Sequence, residues 1–430
     1  MKKRLLFIAL CIVGIMSLSA CGKNETIAKT ETKDEMTILN PIKSVTDDLA
    51  VKCDAGKCSE LYYYDYKMGG IVCACGQKNC SHNLEEYEKG KNHCDAVVES
   101  LAYFPFVYND RLYFIVDAQD GFSLWSCKRD GTDKTKEVKL DFTLNTGSEG
   151  VRYKDKIYVS SREEFYEMVD ENNEDLVGAI AEVYEIDLSK KTVKQLTNFG
   201  KRADAVCAGI QMFNEKLIVS YECREKTCKE AGFGTMEKYF EWLQSDQYDY
   251  QEDYKKNGIK KLKYAYDLKS EKMEFFDIGF QSNFKGYQGI ENLEGAYTVL
   301  CCKNDTVYYL EPLIGEYSLY SYNIKTKERK KLFSSFINME TVSDDIIYIT
   351  SMEMDEITKN EVAPSVDLKQ PPKYYSFDLN KGELKEEHFG EEGKVFYVID
   401  RNEKGLLVNE TDFDENCQLY DEHDIREIEM

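Results

Sequence analysis

The sequence predicts an all-β chain, a β-propeller of about seven four-stranded blades with a helical insertion in one of them, six blades being the alternative count. Three observations predict it. Aromatic residues make up 13% of the 430, with 31 Tyr and 21 Phe, the bulky side chains that suit a pleated, half-buried surface. A two-part repeat of polar turn and alternating strand runs the length of the chain. Its unit reads as one four-stranded sheet, which cannot cover its own two faces, whereas radial stacking of several covers both and leaves only short edges. A pair of β-sandwiches is the structural runner-up.

The chain opens with Lys2, Lys3 and Arg4 ahead of an apolar stretch at 5–18, the charged and apolar regions of a secretory signal. That stretch is too short for a spanning helix. It ends in Leu18-Ser19-Ala20-Cys21-Gly22, which resembles a bacterial lipoprotein signal. The resemblance implies that residues 1–20 leave as a signal peptide and that the Cys21 sulfur carries a diacylglyceryl group. Two acyl chains hold a protein on a bilayer where one binds marginally, so the chain is expected on the extracytoplasmic face of a cell membrane. Residues 21–48 contain no aromatic and are rich in Lys, Glu and Thr; they read as a flexible tether. The propeller domain is expected over 49–430.

The first half of the repeat is a polar pair and a strand, as in Asn109-Asp110-Arg111-Leu112-Tyr113-Phe114-Ile115, Lys154-Asp155-Lys156-Ile157-Tyr158-Val159 and Asn304-Asp305-Thr306-Val307-Tyr308-Tyr309. Further copies start at Asn214, Asp344 and Glu403. The second half is an aromatic strand, a charged turn and another strand: EVYEIDLSKKTVKQL from Glu182, KYAYDLKSEKMEFF from Lys263, SLYSYNIKTKERKKLF from Ser318 and YYSFDLNKGELKEEHF from Tyr374. A related copy starts at Ser123, and weaker ones at Leu61 and Gln418. Alternation over four to six residues bounded by Asn, Asp, Lys and Gly is the hairpin signature, and Asp130-Gly131 suits a turn that needs positive φ. These motifs resemble the TolB-like and related bacterial propellers and, more closely, surface lipoproteins of Gram-positive anaerobes with propeller-like domains of unknown function. The resemblance implies the propeller fold over most of 49–430 and names no ligand.

Copies are unevenly spaced: the interval from Leu217 to Val307 is twice that from Leu112 to Ile157. An insertion at 224–260 accounts for it, and Met236, Tyr239, Phe240 and Leu243 lie there at helical spacing. Smaller insertions are expected near 163–175 and 352–372.

The local chemistry is in the cysteines. Of 15, Cys11 lies in the signal and Cys21 at the lipidation position, which leaves an odd number. Outside the cytoplasm disulfides are the default, and parity leaves at least one thiol unpaired. Cys75-x4-Cys80-x-His82-x11-Cys94, in a polar loop over 73–94, offers three thiolates and an imidazole, a set that completes a tetrahedral shell for structural zinc. Cys73 and His93 are further candidates for the shell. A similar Cys-x4-Cys-x-His…Cys arrangement is a feature of the lipoprotein group just named. The alternative is disulfides joining Cys75, Cys80 and Cys94 among themselves or with Cys53, Cys58 or Cys73. Cys53/Cys58 and Cys223/Cys228 each bracket four residues and can close small loops. Cys301 and Cys302 are strand neighbours that face opposite sides, and Cys127, Cys207 and Cys417 read as buried small hydrophobes.

Lys+Arg total 56 against 79 Asp+Glu, a net charge of -23, which repels a phosphate backbone; nucleic acid is a poor partner. The chain holds no Gly-x-Ser-x-Gly elbow, phosphate-binding glycine loop or His-Glu-x-x-His helix. The expected function is therefore a non-enzymatic binding or scaffold module for an extracellular protein, peptide or glycan, held to the membrane by its N-terminal lipid. The alternative is an extracellular hydrolase or lyase acting on glycan or peptide through two carboxylates in the channel.

Overall fold

Two kinds of turn recur, and their backbone explains the repeat. The polar pairs are two-residue hairpins. Asn109 and Asp110 have φ of 48° and 61°, and Asn304 and Asp305 46° and 61°, the left-handed conformation both central residues of a type I′ turn require. Lys154, Glu215 and Asp345 share it, at 57°, 61° and 64°. Asn and Asp tolerate this region better than other side chains do.

The second turn is built round the Asp or Asn that ends the aromatic strand. Asp187, Asp267, Asn323 and Asp378 each accept two backbone N–H groups, from the residues two and three ahead, at 2.8–3.1 Å. Four residues on, Lys191, Glu271, Lys327 and Gly382 have φ of 55°, 54°, 61° and 69° and donate back to the Asx carbonyl at 2.7–2.9 Å. The residue directly after the Asx, Leu188, Leu268, Ile324 or Leu379, donates to the carbonyl of Asp155, Glu215, Asp305 or Asp345 at 2.8–3.1 Å. Each second turn is thereby tied to the first turn of its own sheet. A side chain that competes for local N–H groups is favoured at such positions, which is why the motif reads Asp-Leu, Asp-Leu, Asn-Ile and Asp-Leu.

The computed structural model describes residues 36–39, 43–45, 49–55, 58–65, 69–83, 86–87, 89–91, 93–168, 174–213, 215–245, 247, 256–276, 278, 297–312, 317–335, 337–343, 345–352, 372–389, 394–401, 405–412 and 424–429. Nearly all regular structure among them is antiparallel strand. The first sheet holds Lys43–Val45, Leu49–Ala55, Ser59–Asp65 and Gly70–Cys73, with the short Val97–Val98 paired to Ser59–Asp65. The second holds Leu101–Tyr108, Arg111–Ala118, Gly121–Lys128 and Thr135–Lys139. Gly150–Tyr153, Lys156–Ser160, Val183–Asp187 and Thr192–Gln195 form the third, and Asp204–Phe213, Lys216–Arg224, Lys260–Asp267 and Lys272–Phe275 the fourth. Thr298–Lys303, Thr306–Pro312, Tyr317–Asn323 and Arg329–Ser335 form the fifth, and Ile337–Ser343, Ile346–Ser351, Lys373–Asp378 and Glu383–Glu387 the sixth. Lys394–Arg401, Gly405–Asp412 and Asp424–Glu429 close the series.

Each sheet packs against the next in chain order, and the second strand of each feeds both neighbouring cores. Leu112, Phe114 and Val116 join Leu61 and Val97 of the first sheet, while Ile115 between them faces Ile157, Val159 and Ile186 of the third. Tyr158 turns the other way, to Leu217 and Val219 of the fourth. Ile218 faces Cys302 and Ile324 of the fifth. Leu310 and Leu319 meet Ile347, Ile349 and Phe377 of the sixth, and Tyr348 meets Phe396, Leu406 and Val408 of the last. Burying each aliphatic or aromatic side chain of this kind contributes about 1.5–3 kcal/mol. Met36–Met430 is one compact unit with a core between each consecutive pair of sheets, which displaces the runner-up of two β-sandwiches.

One detail differs from the sequence reading. The tether expected to run to residue 48 is shorter, because Met36–Leu39 is a strand with Leu39 fully buried in the core between the second and third sheets. It pairs with Gly150–Tyr153 and with Lys43–Val45, which joins the first and third sheets into one of ten strands. The Arg152 guanidinium donates to the Thr37 hydroxyl at 2.6 Å and clamps it. Composition, which marks this segment as core-poor, is silent about backbone pairing. Among the described residues the N-terminal strands Met36–Leu39 and Lys43–Val45 thus pair with the third and first sheets, and the last sheet has three strands.

Within the large insertion α1 (Met236–Leu243) forms as expected, capped by the Thr235 hydroxyl, with Tyr239 buried and Phe240 51% exposed. The insertion near 163–175 is a β-hairpin, Glu163–Met168 against Glu174–Ile180. Nearly all of the one at 352–372 lies outside the described residues. No helix among the described residues is long and apolar enough to cross a membrane.

Candidate metal centre

The polar loop between Gly70–Cys73 and Val97–Val98 is pinned at both ends to one residue. Ala74 N–H donates to the Leu61 carbonyl at 2.9 Å and Leu61 N–H to the Ala96 carbonyl at 3.1 Å. Left-handed residues Asn79 and His82, φ 63° and 49°, turn the chain between them. The second sheet supplies a seat. Gly131, φ 71°, lies so close that a Cβ there would stand 2.0 Å from the Ala74 carbonyl oxygen and 2.4 Å from that of Asp95. The Lys134 ammonium bridges the Asp95 and Gly131 carbonyls.

Folded this way, the loop gathers the predicted ligands. One donor atom each from Cys75, Cys80, His82 and Cys94 lies within 4.8 Å of all the others, and Cys94 Sγ is 3.6 Å from His82 Nδ1. In a tetrahedral shell with metal–sulfur bonds of about 2.3 Å, sulfurs stand about 3.8 Å apart, so the cluster needs little movement to close on an ion. Cys94 is buried, Cys75 and Cys80 are half-buried and His82 is exposed. The Asp95 N–H donates to Cys75 Sγ at 3.4 Å, the kind of outer bond that steadies a coordinating thiolate. Burial pushes the Cys94 thiol up to about 12 and the Cys73 thiol higher. A divalent cation supplies the charge that lets such sulfurs ionise. The donor set therefore fits zinc.

Of the two further candidates, Cys73 belongs to the cluster and His93 does not. Cys73 falls in a second, overlapping group with Glu60, His82 and Cys94. The His93 ring is 75% exposed and lies 3.8 Å from the Asp95 carboxylate, while its carbonyl accepts from the Cys80 thiol. Sequence reasoning missed Glu60. Its signal was a charged residue at the buried start of a strand that goes on to three tyrosines, SELYYYD, and its partner Cys73 lies thirteen residues on.

The expected disulfides fare differently. Cys73, Cys75 and Cys94 are free thiols. Cys53 lies on Leu49–Ala55, with its side chain outside the described ones, and Cys58 is buried in the core between the first two sheets. The Cys223–Cys228 loop is not closed: Cys223 is a free thiol on its strand, while Cys228 Sγ turns into the insertion, 3.0 Å from Met236 Sδ at the start of α1. Cys301 and Cys302 do face opposite cores, and Cys127 and Cys207 are fully buried. Cys21 and Cys417 lie outside the described residues.

No protein-family model matches the chain, and no curated protein matches it. Among solved structures it is similar to an acylaminoacyl peptidase of Pyrococcus horikoshii, at 11% identity and TM-score 0.47, covering 92% of this chain and 53% of that one. The chain thus spans about half the length of that peptidase. It is also similar to the β-propeller domain of the trilobed protease from Pyrococcus furiosus, at 10% identity and TM-score 0.43, covering 91% and 97%. A third likeness is to an oligogalacturonate lyase of Vibrio parahaemolyticus, at 8% identity and TM-score 0.42, covering 89% and 92%. At these identities and scores the likeness bears on no residue of the cluster.

Proposed function

We propose that this chain is a membrane-tethered, extracytoplasmic lipoprotein whose stacked sheets close into a β-propeller of about seven blades, and that it is a non-enzymatic binding or scaffold module for a protein, peptide or glycan. In this reading residues 1–20 are the signal peptide, Cys21 carries the lipid, and the tether ends where the strand at Met36 begins. A structural zinc ion on Cys75, Cys80, His82 and Cys94 pins the loop of the first sheet to the second. Zinc held by four protein ligands supplies charge and rigidity and leaves no position for a substrate.

The observation that carries the non-enzymatic reading is the occupation of the buried carboxylates. Glu182 accepts from the Thr197 hydroxyl at 2.6 Å and from the Phe199 and Gly200 N–H groups at 3.0 and 2.9 Å. Asp187 holds its turn. Glu311 is paired with Arg329, Glu387 with Ser376 and Lys385, and Glu410 with Lys394. These five of the six buried acids among the described residues are each bonded within their own sheet, and the sixth, Glu60, lies against Tyr62 and Cys73 beside the cysteine cluster, whereas glycoside cleavage needs two carboxylates converging on one bond about 5–10 Å apart.

Cross-linking intact cells and then capturing the chain tests the proposal. A discrete partner or glycan should be recovered with the wild-type chain and lost with Cys21→Ala, which frees the protein from the membrane. New reducing ends or peptide termini released from envelope material by the purified chain would establish the hydrolase or lyase instead.

A further inference from the structure

We propose that Glu60 and Cys73 form a second divalent-cation position beside the first, with the Cys94 thiolate bridging the two, so that the cluster takes two ions. The inference rests on the metal reading of the first position and adds to it a carboxylate that the sequence pattern did not single out.

Glu60 is 3% exposed on Ser59–Asp65. Its carboxylate accepts from the Tyr62 phenol at 2.5 Å and from the Cys73 thiol at 3.4 Å, and neither partner carries positive charge. A buried carboxylate is costly without a compensating cation, and among the described residues Glu60 has none. The other buried acids among the described residues differ in this respect: Asp187, Glu311, Glu387 and Glu410 have an arginine or lysine, and Glu182 has two backbone N–H groups and a hydroxyl.

Strand register brings these groups together. Glu60 and Tyr62 are two apart on one face, and Cys73 pairs directly opposite Tyr62. The turn carrying Cys94 is stitched to the same strand, through Leu61 N–H to the Ala96 carbonyl and the Glu60 pairing with Val97. The result is a group in which one donor atom each from Glu60, Cys73, His82 and Cys94 lies within 4.8 Å of the rest, next to the first group and sharing two of its members. A single imidazole nitrogen serves one ion, but a thiolate can bridge two. With His82 on the first ion, the second has the Glu60 carboxylate, the Cys73 sulfur and the shared Cys94 sulfur. Charge also favours occupancy: the first ion with three thiolates is net negative, and Glu60 adds a further negative charge beside it. Binding of the second ion forms a metal–sulfur bond to Cys73 and releases the Cys73 thiol proton to solvent, and the hydrogen bond from that thiol to Glu60 is replaced by the metal. Thiolate and carboxylate together suit Zn²⁺ or Co²⁺.

The test is Co²⁺ titration of the full-length chain, purified in detergent under a non-thiol reductant, with bound metal counted by elemental analysis and thiolate ligation followed by its charge-transfer absorption. Wild type should bind two ions per chain and Cys73→Ser one, with the absorption of one step lost. Glu60→Gln, which keeps a hydrogen-bonding group in the buried position, should weaken the second step at least tenfold and leave the first unchanged. Circular dichroism of each variant confirms that it folds. One ion in wild type, unaltered by Cys73→Ser, overturns the second position and leaves the first standing; no bound metal in wild type overturns both.

Discussion

The second turns of the third to sixth sheets and the cysteine loop of the first both hold a strand end in place, by opposite means. Asp187 and its counterparts do it within five residues, one side chain satisfying two N–H groups while the fourth residue on goes left-handed. The loop draws on the clustered side chains of 75 to 94, a strand that carries Leu61, and a glycine from the next sheet. A device contained in five residues can be copied along the chain and tolerates exchange of its members. One assembled from three separate segments depends on contacts that single substitutions can remove.

The contrast can be broken most severely at Gly131. Alanine there keeps an unfavourable φ and drives its Cβ into the carbonyls of Ala74 and Asp95, the neighbours of the proposed ligands Cys75 and Cys94. Gly131→Ala should cost about 3 kcal/mol in denaturant unfolding and weaken metal binding in the same protein, because the loop can relieve the clash only by opening.

A smaller effect is expected at Asp187. Asp187→Ala leaves two N–H groups of the turn unpaired and should cost about 2 kcal/mol, whereas Asp187→Asn should cost under about 1 kcal/mol, since Asn323 holds the equivalent turn in the fifth sheet. Burial alone would raise the Asp187 carboxyl, but the Lys190 ammonium and N–H and the Ser189 hydroxyl outweigh it and hold it well below its ordinary 3.8. A carboxyl lowered on folding stabilises the protein above its unfolded value and loses that contribution as pH falls through it. The advantage of wild type over Asp187→Asn should therefore be full at neutral pH and shrink from about pH 5 downward, read by unfolding both proteins across that range.

The smallest effect sharpens the comparison with a gain. Lys327 is left-handed where Gly382 stands in the sixth sheet and Gly69 in the first. Lys327→Gly should stabilise by about 0.5–1 kcal/mol, the relief of a Cβ in that region less the entropy of a freer unfolded chain. No comparable exchange is open within the cysteine cluster.

Legibility followed the same division. Period-two alternation marked Leu217 and Val219 against Ile218, and the structure places them in two different cores. Asn109-Asp110 and Asn304-Asp305 announced their turns because few other residues accept that backbone. The clustering of Cys75, Cys80, His82 and Cys94 was legible from residue type and spacing. The strand at Met36 was not, since pairing through backbone amides leaves no mark on composition. Glu60 was not, because its meaning depends on a cysteine across the sheet. The proposed bond between Cys223 and Cys228 followed from spacing alone, and the insertion turned the second sulfur toward Met236.

What the sequence determined by itself was the series of antiparallel sheets, their turns and the identity of the sulfur and imidazole donors, because alternation and turn chemistry act between residues a few positions apart. What only the tertiary structure decided was which distant groups meet: Leu39 with Phe106, Gly131 with Ala74 and Asp95, Glu60 and Cys73 with Cys94. Those meetings depend on strand register and on how one sheet seats against the next, and the energy that selects them is shared among residues far apart in the chain.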